Sequence, residues 1–438
     1  MSLSFTVSSE KNVYELAELS RMFGEAPEFC VREESGKDRN LEKRELYALL
    51  SEATGIKLDW GILVGVRPGK LYGELTRKHG QAEAERILRD DYLVSDAKIG
   101  LLRSCHETQM SLDYDRDPAA ISLYVGIPFC PSRCLYCSFT SNKFNKDASL
   151  RYMDALEKEI KALRSIMDQK GMYAESIYIG GGTPTSLDDP EFERLLRLVR
   201  DNYKIQKTRE WTVEAGRPDT ITESKLALIK AYGADRISIN PQSMKQRTLD
   251  LIGRSHSPEE IVSAFEKAHR AGIGIINADL IAGLPEESPE DFKASLSKMI
   301  ELGANNITVH TLAVKKASRL IEEDPGLGRR QAETVRKMLD IASGMLKSAG
   351  FSPYYLYRQK NQAGNFENVG YCTKGLASVY NIRIMDENQS NLAVGAGAIS
   401  KVYYPEENRL ERVANVSNYE IYIERIDEMI ERKLKGIL

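Results

Sequence analysis

The stretch from residue 121 to residue 312 constrains the fold most, because short apolar runs alternate there with longer amphipathic segments. Six of the apolar runs have the length and composition of buried β-strands. They cover residues 121–126, 176–180, 211–215, 236–240, 274–281 and 306–312. Strands that alternate with helices build a parallel sheet with right-handed crossovers. The sequence therefore predicts an α/β fold, either an open sheet or a partial (β/α)6 barrel.

The helices between these strands carry clear start and stop signals. Ser257 and Glu260 form a capping box with Pro258 at the first helical position, and Gly272 ends that helix. Shorter helices are expected before the barrel at residues 41–50 and 81–93, and a closing helix is expected to begin at a second capping box in residues 417–420. We predict three domains: an N-terminal α+β domain (1–115), the barrel (116–320) and a C-terminal α+β cap (321–438).

Composition excludes several classes of function. The net charge is −3 and the sequence pI is about 6.1, which argues against general nucleic-acid binding. No apolar run approaches the length of a membrane span, and the chain does not begin with a basic segment followed by an apolar one. We therefore expect a cytoplasmic protein without a membrane span, and a monomer.

The first strand is followed by three cysteines at the spacing C-x3-C-x2-C: Cys130, Cys134 and Cys137. Thiolates this close together can bind three irons of a [4Fe–4S] cluster and leave the fourth iron without a protein ligand. A zinc site with a distant fourth ligand is the alternative. A disulfide framework is less consistent with the sequence, because six cysteines in 438 residues are sparse.

Other unusual residues follow the next strands, at the edge where ligands of parallel sheets gather. The run from Gly180 to Thr185 allows a backbone to approach a ligand closely. Glu214 and Asp279 lie in apolar strands, Gln242 follows the fourth strand, and Arg254 precedes a helix. A buried carboxylate needs partners. For Glu214, the alternative to a buried carboxylate with partners is a carboxylate at the end of the strand that faces solvent.

Three further features have open interpretations. Arg67 and Lys70 can hold an anionic group of another domain, or they are solvated charges of a turn. The aromatic and basic segment 354–361 suits either a flat tetrapyrrole with carboxylates or simple packing of a sheet. His310 ends the sixth strand and faces the site, or it is an ordinary core or rim histidine.

The cysteine motif, with Tyr136 before the last cysteine, resembles the signature of radical S-adenosylmethionine (SAM) enzymes. The segment from Tyr124 to Cys130 resembles their oxygen-independent coproporphyrinogen III oxidase group, over about residues 120–400. The resemblance implies a radical SAM barrel, a [4Fe–4S] cluster on the three cysteines, and SAM on its open iron. One electron from the cluster would cleave SAM to a 5′-deoxyadenosyl radical. The N-terminal segment 66–70 resembles the subgroup named coproporphyrinogen dehydrogenase.

The resemblance also implies a role for individual residues. The glycine-rich turn would contact the SAM amino group, Arg254 would pair with its carboxylate, and Tyr124 would lie on the substrate side as a catalytic residue. The cofactor-binding residues implied in this way are Tyr136, Gly181, Gly182, Thr183, Glu214, Gln242, Arg254, Asp279, Ile281 and Ala313.

The sequence departs from the group at two points. Residues 138–140 read Ser-Phe-Thr, whereas the best-described oxidases have a fourth cysteine one residue after the third. Asn240 and Pro241 precede Gln242, where the group usually has a small residue and valine. These departures concern whether the activity of the oxidases can be assigned to this chain, since relatives with three cysteines include proteins with other functions.

The function implied by the resemblance is oxidative decarboxylation of two propionates of coproporphyrinogen III to vinyl groups. The product would be protoporphyrinogen IX, in anaerobic heme biosynthesis. A reduced flavodoxin or ferredoxin would supply electrons, and the tetrapyrrole would be the substrate. Two alternatives from the same superfamily stay open, namely a heme chaperone and an anaerobic heme-degrading methyltransferase.

Overall fold

The structure, a computed structural model, describes residues 4–32, 38–65, 67–112, 117–137, 142–313, 331–360 and 362–438. The strands in these ranges are β1 (Ser4–Val7), β2 (Glu28–Val31), β3 (Ala120–Ile127), β4 (Phe129–Cys130), β5 (Asn142–Lys143), β6 (Tyr173–Gly181), β7 (Glu210–Glu214), β8 (Arg236–Gln242), β9 (Ile275–Ala282), β10 (Asn306–Thr311), β11 (Ser352–Arg358), β12 (Glu367–Cys372), β13 (Asn391–Val394), β14 (Ile399–Tyr404) and β15 (Arg409–Ala414). The α-helices are α1 (Glu10–Phe23), α2 (Arg39–Thr54), α3 (Pro68–His79), α4 (Gln81–Asp90), α5 (Asp96–Met110), α6 (Lys146–Gln169), α7 (Asp189–Tyr203), α8 (Glu223–Tyr232), α9 (Gln246–Leu251), α10 (Pro258–Arg270), α11 (Pro289–Glu301), α12 (Ala332–Ser348), α13 (Val379–Asp386), α14 (Tyr419–Glu424) and α15 (Ile426–Ile437).

The central sheet is a partial barrel. Strands β3, β6, β7, β8, β9 and β10 lie side by side in chain order, and each pair is parallel. An open doubly wound sheet would reverse this order at a switch point, whereas a barrel does not. The predicted α/β fold with six parallel strands is confirmed, and the barrel is favoured over the open sheet. The helices between the strands cover the outer face with apolar residues such as Phe192, Phe265 and Phe292.

The C-terminal strands continue the same sheet at both edges. β13 pairs in parallel with β3, and β12 pairs antiparallel with β10. The C-terminal region therefore extends the barrel wall, which the sequence pattern did not reveal. The predicted domain boundaries at 115/116 and 320/321 fall outside the described residues, and the domain limits stay a prediction.

The N-terminal region contains a small α+β unit, and it contacts the barrel both through the shared apolar core and through polar bonds. β1 and β2 form a parallel pair, and α1 and α2 pack a small apolar core against it. Arg67 forms an ion pair with Glu387 at 2.6 Å, and Lys70 lies 3.8 Å from the same carboxylate. Of the two interpretations of Arg67 and Lys70, the structure supports contact with an anionic group of another part of the chain over solvated charges of a turn.

Two predicted helix limits were wrong. The helix expected at residues 81–93 ends at Asp90, because Leu93 has a positive φ of 59° that no α-helix continues through. The closing helix is capped by Asn418, whose side chain accepts from two backbone N–H groups, and it is interrupted at Arg425. The capping box of Ser257 and Glu260 is confirmed. Among the described residues, no helix has the length and apolar composition that a membrane crossing requires.

A buried ionic cluster fastens the closing helix to the barrel. Lys433 and Glu159 are 1% and 0% exposed, and the lysine Nζ lies 2.6 Å from the Glu159 carboxylate. Asn415 Nδ2, Gly395 N–H and the Tyr422 hydroxyl also donate to this carboxylate. Lys433 donates a second bond to Asn415 Oδ1. Every charge in the cluster therefore has partners, which a buried ion pair needs.

Candidate active site

A cavity of about 420 Å³ opens at the carboxyl ends of the barrel strands. Its volume lies within the range of small-molecule sites, about 300–1,000 Å³. All the cluster, cofactor and catalytic residues that the resemblance implied line this one cavity: Tyr124, Cys130, Cys134, Tyr136, Cys137, Gly181, Gly182, Thr183, Glu214, Gln242, Arg254, Asp279, Ile281 and Ala313.

The cysteine loop is held by the glycine-rich turn after β6. Gly182 N–H donates to Ile127 O and Thr183 N–H donates to Phe129 O, each at 2.7 Å. A Cβ on Gly182 would lie 2.4 Å from Phe129 O and 3.0 Å from Cys130 Sγ, so only glycine allows this approach. Thr183 Oγ1 also lies 3.4 Å from Cys130 Sγ. The two loops are thus one packed unit.

The three cysteines line the cavity from one loop. Among the residues that the structure describes, no three His, Cys, Asp or Glu side chains converge as the ligands of a single ion would. In a cubane cluster each cysteine binds a different iron, so its ligands need not converge. Arg217 donates to Ser132 Oγ at 3.0 Å and pairs with Asp219, which ties the cysteine loop to the segment after β7.

Glu214 is a half-buried carboxyl group in the cavity wall, with one strong donor. The Tyr178 hydroxyl donates to Glu214 Oε1 at 2.5 Å. Burial raises the pKa of Glu214 to about 7, and the nearby Asp279 adds to this, although the bonds from Tyr178 and from Gly181 N–H oppose it. The solvent-facing alternative for Glu214 does not hold. A ligand that donates N–H groups here would favour the ionised form.

Gln242 has a strained backbone at the end of β8. Its φ is +68°, in the left-handed region that side chains other than glycine rarely adopt, and the pairing of β8 with β9 shifts register just before it. Gln242 Oε1 and Asn240 Oδ1 are buried and have no hydrogen-bond partner among the described residues. Buried polar atoms are normally paired. Strain and orphaned acceptors together are typical of a ligand site.

Arg254 is a buried guanidinium between the cysteine loop and β8. Its Nη1 donates to Asn240 O at 2.5 Å and to Gly216 O at 3.3 Å, and its Nη2 donates to the Tyr136 hydroxyl at 3.1 Å. Its Nε has no partner among the described residues. Carbonyl groups do not neutralise the positive charge of Arg254. An anionic ligand in the cavity would therefore find a charged partner in this guanidinium.

Asp279 is the centre of a polar group on the inner faces of β9 and β10. Asn277 Nδ2 donates to Asp279 Oδ1 at 2.8 Å, and His310 Nε2 lies 3.5 Å from Oδ2. Burial raises the pKa of Asp279, but His310 and the bonds from Asn277 and Thr308 outweigh it, so the net pKa is lowered. Asp279 is therefore ionised at neutral pH and accepts hydrogen bonds, for example from hydroxyl groups.

Three tyrosine rings form a stack beside the cysteine loop. The rings of Tyr124 and Tyr178 lie 6.3 Å apart and nearly parallel, and Tyr380 stacks on Tyr178 at 4.6 Å. Burial raises the pKa of Tyr124 well above its ordinary value, so the phenol is neutral. Tyr124 lines the cavity as expected, on the side where the C-terminal helix α13 closes it.

Several lining residues were missed or left undecided by sequence reasoning. Tyr178 and Asn277 were missed, although each lies two residues before a residue that was identified, Gly180 and Asp279, and thus on the same strand face. His310, left open between the site and a core or rim position, lines the cavity and contacts Asp279.

The aromatic and basic segment 354–361 had two interpretations, a surface for a flat tetrapyrrole and simple packing of a sheet, and different residues of the segment fit each one. Tyr355 and Tyr357 line the cavity. Tyr354 instead is buried in a separate apolar cluster, and Arg358 donates to the backbone of Leu63 and Asn365.

The chemistry of this cavity fits a cluster and SAM. It presents three thiols on one loop, a backbone cradle at Gly182 that a Cβ would fill, and orphaned polar atoms on Asn240, Gln242 and Arg254. The same wall offers acidic acceptors at Glu214 and Asp279. SAM carries an amino group, a carboxylate, ribose hydroxyls and an adenine, and each has a counterpart of suitable chemistry here.

Comparison with known proteins agrees with this chemistry. The model of the Radical SAM superfamily matches residues 124–299. The oxygen-independent coproporphyrinogen-III oxidase-like protein HemZ of Bacillus subtilis is 38% identical over 416 residues, which cover 94% of this chain and 83% of the relative. The heme chaperone HemW of the same organism is 28% identical over 63% of this chain and 70% of its own length. The oxygen-independent coproporphyrinogen III oxidase of Escherichia coli is 32% identical over 44% of this chain and 42% of its own length.

Among solved structures, coproporphyrinogen III oxidase (HemN) from Escherichia coli superposes with a TM-score of 0.57 and 23% identity, covering 72% of this chain and 71% of that one. This likeness confirms the radical SAM fold. Members of the superfamily use a [4Fe–4S] cluster and SAM, so the zinc alternative is set aside. From these matches and the cavity they fall on, the chain belongs to the radical SAM superfamily, in the group of oxygen-independent coproporphyrinogen III oxidase-like proteins.

Proposed function

We propose that this chain is a radical SAM enzyme that converts two propionates of coproporphyrinogen III to vinyl groups. Cys130, Cys134 and Cys137 would hold the cluster. The glycine-rich turn fixes this loop through Gly182 and Thr183, which supports that role because the ligands are positioned before any cluster is bound. A reduced flavodoxin or ferredoxin in the cytoplasm would supply the electron, and the chain would act as a monomer.

SAM would lie across the carboxyl ends of β7, β8 and β9. Glu214 would accept from its amino group together with the backbone of Gly181, and Arg254 would pair with its carboxylate. Gln242 and Asp279 would bind its remaining polar groups and ribose hydroxyls. Tyr136, Ile281 and the backbone of Ala313 would flank the adenine, since all three line the same cavity.

When bound, the cluster supplies one electron and SAM supplies the group that removes a hydrogen atom from the substrate. The protein's own contribution is to bind, orient and exclude water. Phe129, Ile127 and Val125 behind the cysteine loop are fully buried, so the base of the site is dry. Tyr124 remains a neutral phenol and would orient the reacting propionate without taking its proton.

The observation that carries this function is an aromatic part of the cavity wall, which adjoins Asp279 through His310. Tyr355, Tyr357 and Met385 line it together with His310, and the rings of Tyr355 and Tyr357 are parallel at 6.3 Å. A wall of aromatic rings and a thioether suits a large flat ring system. Each propionate would become a vinyl group by losing one hydrogen atom to the group that SAM supplies, carbon dioxide, and one electron to a separate one-electron acceptor.

A second candidate function is that of a heme chaperone. The similarity to HemW, which extends over 70% of that relative's length, supports it, as does the absence of a fourth cysteine in residues 138–140. A chaperone would bind heme in near-stoichiometric amount and would release no 5′-deoxyadenosine tied to decarboxylation.

The test is anaerobic reconstitution with iron and sulfide, followed by reduction in the presence of SAM and coproporphyrinogen III. Mass spectrometry would follow 5′-deoxyadenosine and the porphyrin products. The proposal expects two successive losses of the elements of formic acid, each accompanied by 5′-deoxyadenosine. SAM cleavage with an unchanged porphyrinogen would overturn the decarboxylase assignment, and stoichiometric heme binding would then favour the chaperone.

A further inference from the structure

His310 lies in the active-site cavity between a carboxylate and a phenol. It stands near the end of β10, two residues after Thr308 and thus on the same face of the strand. Its Nε2 lies 3.5 Å from Asp279 Oδ2, and its Nδ1 lies 3.3 Å from the Tyr357 hydroxyl. All these side chains line the cavity. The proposed binding of SAM and substrate gives no task to the two ring nitrogens of His310.

The chemistry of the two partners determines what each nitrogen does. Asp279 is ionised, because the net effect of its surroundings lowers its pKa, and an ionised carboxylate only accepts hydrogen bonds. The Nε2 atom of His310 therefore presents its N–H to Asp279. A hydroxyl group can donate or accept, so Tyr357 pairs with Nδ1 whether or not that nitrogen carries a proton. The imidazole is thus held at both ends.

The two oxygens of Asp279 are held in different ways. Oδ1 accepts from Asn277 Nδ2 at 2.8 Å. Asn277 is itself fixed, because it donates to Ser238 Oγ at 2.7 Å and accepts from Thr308 Oγ1 at 3.2 Å. Oδ2 faces His310, which after the opposing effect of burial is the largest influence on the pKa of this carboxyl group. The orientation of the Oδ2 side therefore depends on the imidazole.

A carboxylate held in this way suits a pair of neighbouring hydroxyl groups. Each carboxylate oxygen has two acceptor positions. With Asn277 on Oδ1 and His310 on Oδ2, each oxygen keeps a position for a ligand. The χ2 torsion of an aspartate is broad, so two parallel bonds to a ligand require a plane that other groups fix. We propose that His310 is a positioning residue that sets the plane of the Asp279 carboxylate for the two hydroxyl groups of the SAM ribose.

Tyr357 supports this arrangement from the C-terminal part of the chain. It lies on β11, and its ring is parallel to that of Tyr355 at 6.3 Å. The Tyr355 hydroxyl lies 3.3 Å from Thr308 Oγ1, so the pair of rings is tied to β10. The inference rests on the proposed placement of the SAM ribose at Asp279, and it is independent of which tetrapyrrole is the substrate.

The test is equilibrium binding of SAM, 2′-deoxy-SAM and 3′-deoxy-SAM to the anaerobically reconstituted protein. His310→Phe keeps a flat ring and removes both nitrogens. It should weaken SAM binding about tenfold, because a hydrogen bond to a charged group is lost from the site. It should weaken binding of one deoxy analogue by less than about threefold, since the ribose bond that it supports is already missing there.

Two further variants separate positioning from packing. His310→Gln places an N–H group where Nε2 stands in the wild type, and it should bind SAM within about threefold of the wild type. Asp279→Asn should weaken SAM binding by itself, and adding His310→Phe to it should weaken binding little further. Iron and sulfide content should be equal in all variants, which excludes loss of the cluster as the cause.

His79→Phe is the matched control, because His79 is an exposed histidine at the end of α3, and it should bind SAM as the wild type does. Wild-type affinity in His310→Phe beside weak binding by Asp279→Asn would overturn the role of His310 and leave the ribose at Asp279. Equal losses for SAM and both deoxy analogues would also overturn it, because His310 would then act by packing alone. Wild-type affinity in Asp279→Asn would overturn both the placement of the ribose and the role of His310.

Discussion

Two buried polar regions of this molecule differ in how completely their groups are paired. Around Glu159 and Lys433 the carboxylate accepts from four groups and the ammonium has two partners, so nothing is left for a ligand. At the carboxyl ends of the barrel strands, atoms of Asn240, Gln242 and Arg254 stay buried without a partner. In the first region the fold itself pairs every polar group, whereas the second region needs a ligand to pair its remaining polar atoms.

The largest expected effect tests the ligand-binding side of this contrast. Cys130→Ala should abolish cluster assembly and SAM cleavage, because three thiolates are the minimum that holds three irons. Iron and sulfide content after reconstitution measures the result. Cys30→Ala, at an exposed cysteine of β2, is the control and should retain the full cluster. A variant without Cys130 that still held a full cluster would contradict the assignment of the ligands.

The next effect tests the fully paired region. Lys433→Met removes one partner of a buried pair and leaves the Glu159 charge in the interior, so the free energy of unfolding should fall by about 3 kcal/mol or more. Lys435→Met, which breaks only the exposed pair with Glu431, should change it by less than about 1 kcal/mol.

Denaturant titration measures both lysine variants, and SAM affinity should be unchanged in the folded proteins. Equal stability losses in the two would mean that the cluster around Glu159 is not a structural anchor.

The third effect uses the pKa of Glu214. Its folded pKa of about 7 exceeds the ordinary 4.5, so its contribution to stability in the ligand-free protein is present below about 4.5 and is lost as the pH rises through about 7. Donors on SAM need the ionised carboxylate. SAM affinity should therefore rise with pH from about 5.5 to about 7.5.

Equilibrium SAM binding across this pH range measures the effect. Glu214→Gln should bind SAM more weakly and without this slope, whereas Glu223→Gln, at an exposed side chain, should keep the wild-type profile. If the affinity of Glu214→Gln for SAM still rose with pH as in the wild type, Glu214 would not be part of the SAM site.

The smallest effect concerns strain. Gln242→Gly places glycine at a φ of +68°, which should leave the free energy of unfolding unchanged or raise it by up to about 1 kcal/mol. The same variant should bind SAM more weakly. Glu286→Gly, at an exposed residue with a φ of +55°, relieves similar strain away from the cavity and should not affect SAM binding. Loss of stability in Gln242→Gly would show that the side chain serves the fold.

The sequence predicted the barrel well because its signals are local. Alternation of apolar and polar residues, caps such as Ser257, and a cysteine motif all act over a few residues. Strand ends meet in any parallel barrel, so residues such as Glu214 and Asp279 could be placed at one edge before the structure was known.

What could not be predicted depends on contacts between distant parts of the chain. The pairing of β13 with β3 and of β12 with β10 joins residues that are 60 or more positions apart in sequence, and no local pattern encodes it. For the same reason, the stack of Tyr380 on Tyr178 and the contact of Tyr357 with His310 appear only in the folded molecule.

The central claim is that the cavity at the strand ends is a radical SAM site. The most direct measurement is 5′-deoxyadenosine released when the reconstituted protein is reduced in the presence of SAM, with Cys130→Ala and Arg254→Gln measured beside it. The account predicts release by the wild type, none from Cys130→Ala, and release by Arg254→Gln only at higher SAM concentrations. A wild-type protein with a complete cluster that released no 5′-deoxyadenosine would contradict it.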